Sequence, residues 1–310
     1  MTLACVLVLT CCGQPAQQSS DQFFANLIPG DLEDGRIYLQ VPLPGPTRRA
    51  AFFDKAVPGF EKFAELPEDS RKEGHGGEII PDQYLDLEFV QSNTPFQVGQ
   101  ALIVRTRAGL LPVRIARHEI HADIYAGNFY FYAIAEPAPG IARSEGKERV
   151  VAASHLYDCG GQCALVKRKP AADAAEKVRA VAVGQLAVTF PGDLPSEERT
   201  ETLEIYQGNF TRTDAQQYVA FFARHSKEAL DVGHWAAFVV DSDFSLIAVL
   251  RRDEYLQVVP EGVADINGDG LHEIWTDEVG YEGTAYSVWY MSKRQGPTTF
   301  SRIGWDYWGI

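Results

Sequence analysis

Long apolar runs are lacking near the start of this 310-residue chain, where a membrane anchor is first sought. The run Leu3 to Thr10 is too short to cross a bilayer. Basic residues are few: 28 Lys and Arg stand against 42 Asp and Glu, a formal net charge of −14. So acidic a surface repels phosphate backbones and anionic lipid, which argues against nucleic-acid partners. Cysteine is scarce: of five, only Cys159 and Cys163 lie beyond the first twelve residues. There is no G-x-S-x-G elbow, P-loop or Rossmann glycine fingerprint, so no common catalytic motif offers a reaction. What is present is ordinary globular material, 45% hydrophobic, 11% aromatic and 23% charged, with room for one large domain or two small ones.

The apolar run Leu3 to Thr10 reads as the h-region of a secretory signal. No Lys or Arg precedes it, as though the true start lay upstream. Leu9-Thr10-Cys11-Cys12 resembles a bacterial lipobox, and the resemblance implies cleavage before Cys12 and lipidation of that residue. Cys11 departs from the small residue expected before the cut. The polar stretch Gln14 to Gln22 suits a tether. A signal over 1–12, a tether over 13–30 and an address in the periplasm or outer membrane follow as expectations, with membrane attachment only through lipid. In that oxidising compartment Cys159 and Cys163, separated by Gly160, Gly161 and Gln162, are expected to form a small disulfide clip. Free thiols, or a metal site with His155, are the other readings of C-x3-C.

The remaining chain predicts an α+β fold, mainly β: antiparallel strand meanders with one or two helices packed on them. Arg36 to Val41, YLDLEFV from Tyr84, ALIVRTRAG, LLPVRIARHEI, NFYFYAIAE and GKERVVAASHLYD carry the β-branched and aromatic content of strands. SRKEGHGGEIIPD reads as loop by composition. These make an N-terminal unit over 31–168. Lys167 to Val178 is linker or short helix, and AVAVGQLAVTF beyond it reads as strand. TDAQQYVAFFARHSKEAL is the expected long helix, with Thr213 or Asp214 as cap and Tyr218, Val219, Phe221, Phe222 and Leu230 on its apolar face. The strands after it complete a C-terminal unit over 178–310. The shared Y-x-G-N-F of DIYAGNFYF and EIYQGNFTR could mark two related units, but the flanks do not align and it reads as a coincidence of turn chemistry.

Chemistry concentrates in GVADINGDGLHEIW. Asp265, Asn267 and Asp269 alternate, Gly270 permits a sharp reversal, Leu271 offers its carbonyl, and Glu273 closes the set. Calcium takes six to eight hard oxygens, and acids at positions 1, 3 and 5 of a tight turn can converge on one ion. Position 12 is Thr276, so this is no EF-hand. The 1-3-5-9 spacing resembles the calcium loops of FG-GAP and VCBS-type repeats, the integrin-like β-hairpins. That resemblance, covering roughly Val258 to Met291, implies calcium held by the side chains of Asp265, Asn267, Asp269 and Glu273 and the Leu271 carbonyl. Glu in place of Asp at position 9, and a single copy, are departures from the family. The plainer alternative is an Asn-Gly/Asp-Gly hairpin turn with solvated acids.

Other signals are weaker. His118 and His121 in RHEIHAD would point to opposite faces of a strand. His225 and His234 lack spacing partners. Trp305 and Trp308 suit core packing, or contact with a sugar or protein. The expected function is a non-catalytic envelope lipoprotein with a calcium-stabilised hairpin, binding an envelope protein or glycan. A secreted or periplasmic hydrolase working through acidic residues is the alternative.

Overall fold

The computed structural model describes residues 20–33, 35–41, 46–106, 108–124, 127–138, 147–154, 165–190, 199–212, 214–226, 234–251, 257–279, 283–292 and 299–308. Cys12, His155, Cys159 and Cys163 lie outside them, as do the side chains of His225, His234, Trp305 and Trp308. Within them the fold is antiparallel and mainly β, with five α-helices where one or two were expected.

The N-terminal unit is a closed sheet. Strands β1 (Ile28–Glu33), β2 (Arg36–Gln40), β5 (Ala101–Thr106), β6 (Gly109–Asp123), β7 (Asn128–Pro137) and β8 (Glu148–Ala153) pair in the ring β6-β5-β8-β1-β2-β7, which the β6–β7 ladder closes. A register shift between Ile115 and Arg117 lets the long β6 bend to pair on both sides. Alternate residues from all six strands share one core, among them Leu32, Ile37, Val104, Ile120, Ala133 and Val150. Phe52 and Phe53 of α2 (Pro46–Ala56), Phe63 of α3 (Phe60–Ala64) and Val90 of α4 (Leu87–Ser92) join that core.

Three expectations change in this unit. YLDLEFV is no strand: the Phe89 N–H donates to the Asp86 carboxylate, and this N-cap starts α4. SRKEGHGGEIIPD contains the hairpin β3 (Lys72–Gly74) and β4 (Gly77–Ile79), which extends β6. The stretch read as tether contributes α1 (Ser20–Ala25) and the start of β1, with Phe24 and Leu27 buried.

The C-terminal unit holds two four-stranded meanders. One is β9 (Arg199–Gly208), β10 (Gln217–Ser226), β11 (His234–Val240) and β12 (Leu246–Arg251). The other is β13 (Gln257–Ala264), β14 (Glu273–Val279), β15 (Gly283–Ser292) and β16 (Thr299–Trp308). Here the two helix assignments exchange places. Within the expected helix over 213–230, Thr213 and Leu230 lie outside the described residues, and Gln217–Ser226 form β10. Its Val219, Phe221 and Ala223 pack toward the second meander, and Tyr218, Ala220 and Phe222 pack toward α5 (Ala172–Thr189). Burial on both faces produces an unbroken apolar run, which periodicity alone cannot separate from a buried helix. The expected strand AVAVGQLAVTF lies mostly in α5. Alanines favour helix there, and Ala174, Val178 and Ala182 form its buried stripe at four-residue spacing.

The elements stack in layers. Helix α5 covers the first meander, the first meander packs on the second, and the second packs on the outside of the barrel. At that last contact Val151 and Ala153 meet Trp275, Tyr286 and Val288.

Candidate metal centre

The loop between β13 and β14 begins at Asp265 and ends where Glu273 pairs with Ala264. Its turns are built by its own side chains. The N–H groups of Gly268 and Gly270 donate to the two oxygens of Asp265, at 2.7 and 2.9 Å. The Asp269 N–H donates to Asn267 Oδ1 at 3.0 Å, and the Leu271 N–H to Asp269 Oδ1 at 2.9 Å. Gly268 and Gly270 sit at φ of 76° and 84°, where a side chain would be strained. Ile266 is fully buried and pins the loop to the core between the second meander and the barrel.

These turns bring acids together. One oxygen each from Asp265, Asp269 and Glu273 lies within 4.8 Å of the others. Glu273 is 2% exposed and accepts from the Ile266 N–H at 2.9 Å. Burial, with the charges of Asp265 and Asp269 added, drives its pKa well above the ordinary carboxylate value. Burial also raises Asp265, against the bonds from Gly268 and Gly270. At that spacing two carboxylates repel by about 3–4 kcal/mol at an effective dielectric of ~20. The Gly268 and Gly270 N–H groups and the charge of His272 offset part of this at Asp265, and a bound proton or cation would relieve it further. The donor set is all hard oxygen, as a divalent ion such as calcium requires. Asp265, Asp269 and Glu273 thus lie close together, as three of the residues in the expected calcium set. Asn267 is turned into the loop, its amide N–H also reaching Asp269 Oδ2 at 3.3 Å. The Leu271 carbonyl belongs to the same turn.

Two residues behind the loop escaped the sequence reading. Arg105 of β5 is 1% exposed, and its guanidinium lies 4.5 Å from the Trp275 ring centroid. Burial lowers its pKa, while the charges of Tyr286, Glu148 and Glu273 pull it back up. The other is Asn209, whose N–H donates to His272 Nδ1 at 2.9 Å while the His272 N–H donates to the Asn209 carbonyl at 2.6 Å. His272 stands between Leu271 and Glu273, so this pair of bonds clamps the C-terminal end of the acidic loop. Neither contact leaves a local trace in sequence.

A second buried charge cluster lies on the barrel's outer surface. His75, in the turn between β3 and β4, reaches Glu33 Oε2 with Nδ1 (2.6 Å) and Asp31 Oδ2 with Nε2 (2.9 Å). Ionised carboxylates only accept, so this geometry favours the imidazolium form, in which both ring nitrogens donate. Burial opposes this charge, but the bonds and charges of Asp31 and Glu33 outweigh it and raise the His75 pKa. Arg149 adds a bond of 2.6 Å to Asp31. Burial would raise Asp31, yet His75 and Arg149 together bring it below its ordinary value. Beside them His121 Nε2 lies 2.9 Å from Glu119 Oε2, and its Nδ1 bonds the His75 carbonyl at 2.7 Å. His118 points the other way, against Phe131, so the two histidines of RHEIHAD do diverge.

One cavity, of about 480 Å³, opens at the barrel mouth beside Leu27, Arg49, Phe96 and Tyr130; none of the three loop acids lines it. The chain matches no protein-family model, and neither the curated proteins nor the solved structures hold a match to it.

Proposed function

We propose that the protein is a non-catalytic cell-envelope lipoprotein whose C-terminal meander carries a calcium-stabilised hairpin of the FG-GAP/VCBS kind, serving as a protein- or glycan-binding module. The observation that carries this reading is the convergence of Asp265, Asp269 and Glu273 within 4.8 Å, with Glu273 buried. In the hairpin's first two strands the loop has a fixed base, since Ala264 pairs with Glu273. Calcium would supply the counter-charge. The chain's part is to aim the side chains of Asp265, Asn267, Asp269 and Glu273 and the Leu271 carbonyl at one point, and to shield them from water through Ile266 and Trp275.

The envelope address rests on the sequence at Leu9 to Cys12, with lipid on Cys12. The clip between Cys159 and Cys163 belongs to the same reading, because that compartment is oxidising. The calcium part is tested by isothermal calorimetry with calcium chloride in chelator-treated buffer. One ion per chain is expected, with loss of the heat in Asp265→Ala and Asp269→Ala. The anchor is tested by mass spectrometry of the mature N-terminus in a bacterial host. A diacylglyceryl group on Cys12 is the expected result, and an unlipidated Met1 terminus refutes it.

A further inference from the structure

The loop between β9 and β10 has the same build as the acidic loop. As many residues separate Gly208 from Gln217 as separate Ala264 from Glu273. In each case the two flanking residues face one another across the hairpin. The next pairs keep step: Tyr218 with Gln207 and Val219 with Tyr206 in the first, Ile274 with Val263 and Trp275 with Gly262 in the second. At the loop's second position stand Phe210 and Ile266, both fully buried. At its ninth stand Gln217 and Glu273, also buried. The side chain at position nine makes the same bond in both: Phe210 N–H to Gln217 Oε1 at 2.9 Å, and Ile266 N–H to Glu273 Oε2 at 2.9 Å. Both loops open the second strand of a four-stranded antiparallel meander.

They differ in charge. Counted along the sequence, Asn209, Thr211, Thr213 (outside the described residues) and Gln217 correspond to Asp265, Asn267, Asp269 and Glu273. Gln217 satisfies its amide from within the chain. Its Oε1 also accepts from the Thr211 N–H (2.8 Å), and its Nε2 donates to Thr211 Oγ1 (2.7 Å) and toward Asp241 Oδ1 (3.4 Å). A neutral amide with both donors and both acceptor directions used needs no ion. A buried carboxylate beside two others does.

We infer that the two meanders are copies of one structural unit, and that the loop at 209–217 is a cation-free twin which positions the cation loop. The contact between them is the Asn209–His272 pair of backbone-anchored bonds. Because His272 lies between Leu271 and Glu273, a loop that holds its own shape without metal fixes two ligand positions of the loop that does not. Asn209 and Gln217 are thus positioning residues. The arrangement also accounts for the outer layers. Two units cannot close a propeller, so each buries its free face against something unrelated: α5 on the first copy, the barrel on the second.

This inference builds on the calcium reading but is tested apart from it, by exchanging loops in the full-length chain. Giving positions 265–271 and 273 the residues of 209–215 and 217, with His272 kept, should yield a protein that folds in chelator and shows no calcium heat. Its chelator melting temperature should equal or exceed that of the wild type. Giving positions 209–217 the residues of 265–273 should raise the calorimetric stoichiometry from one calcium to two per chain. Should the first exchange unfold in chelator while the wild type binds calcium, the twin relationship is wrong and the calcium centre stands. Should the wild type bind no calcium but the first exchange fold and melt no lower, the calcium reading fails and the twin relationship stands. Failure of the second exchange to bind a further ion, when its circular dichroism matches the wild type in calcium, also overturns the inference. As a lesser probe, Gln217→Ala should weaken calcium binding by several-fold, whereas Gln217→Asn should restore part of it; equal binding by wild type and Gln217→Ala removes the positioning role.

Discussion

Among the described residues, two acidic clusters are each centred on one buried carboxylate, Asp31 or Glu273, and they are balanced in different ways. On the barrel, Asp31 and Glu33 meet His75, Arg149 and Lys147, every counter-charge coming from the chain. In the β13–β14 loop, Asp265, Asp269 and Glu273 meet backbone N–H groups, glycine turns and one another. Arg105 touches that loop's field only from behind, stacked on Trp275. The first cluster joins β1, β8 and the β3–β4 turn and is complete as it stands. In the second, Asp265 and Asp269 raise the pKa of the buried Glu273, while His272 lowers that of Asp265, and the proposed ion would add to the compensating charge. Acid density alone does not distinguish them; the source of the compensating charge does.

The sharpest break of this contrast is His75→Ala. It strips Asp31 and Glu33 of their shared donor and frees the β3–β4 turn. Removing one partner from a buried ion pair costs about 3 kcal/mol. Urea unfolding should show that loss equally in calcium and in chelator, because no part of the barrel network depends on an ion.

Glu273→Gln should act in the opposite sense. Without metal it removes a buried like charge and keeps an acceptor for the Ile266 N–H, so metal-free stability should rise by about 1 kcal/mol. The calcium-induced shift in melting temperature should vanish. A fall in metal-free stability would mean that Glu273 already has its counter-charge.

The acidic loop was legible in the sequence because its acids lie within nine residues and its turns are local. The barrel cluster was not, since Asp31, His75, Glu119, His121 and Arg149 meet only after β1, β6 and β8 close into a ring. Strand content was readable from β-branched and aromatic runs; barrel closure rests on the β6–β7 and β2–β7 ladders, which no local pattern announces. The same limit explains the exchange of helix and strand at 172–226. Tyr218 to Ala223 is buried on both faces, so its alternation disappears. The Ala-Val alternation from Ala180 fits a strand as well as a helix, until α5 is seen to lay Ala174, Val178 and Ala182 on the first meander. The misassigned helix over 213–230 also hid the second copy of the hairpin.

The two clusters should separate by pH as well. His75 has a raised pKa, so its contribution is fully present below its ordinary value of 6.5 and is lost as pH climbs through the raised one. Asp31 has a lowered pKa, so its contribution is present above its ordinary 3.8 and is lost as pH falls through the lowered one. Glu119, which burial would raise but His121 and Arg117 bring down to about 2, titrates at the same acid end. Hydrogen exchange of β3 and β4, corrected for intrinsic rate, should therefore show greatest protection between about pH 4 and 6.5. Protection that keeps rising well above neutral pH would exclude an imidazolium at His75.

The smallest expected effect is also the most telling. Extracellular calcium modules bind at roughly 10⁻⁴–10⁻³ M, so millimolar calcium should stabilise the native state by only ~0.4–1.4 kcal/mol. Magnesium should do less, because it demands near-octahedral geometry and keeps its waters. Calorimetric titration of the wild-type chain with calcium, paired with melting curves in calcium and in chelator, puts the central claim to the test. One ion per chain and a small rise in melting temperature, both lost in Asp265→Ala, are the predicted result. No binding heat at millimolar calcium and identical melting curves would contradict it, leaving Asp265, Asp269 and Glu273 as an acidic turn balanced by protons.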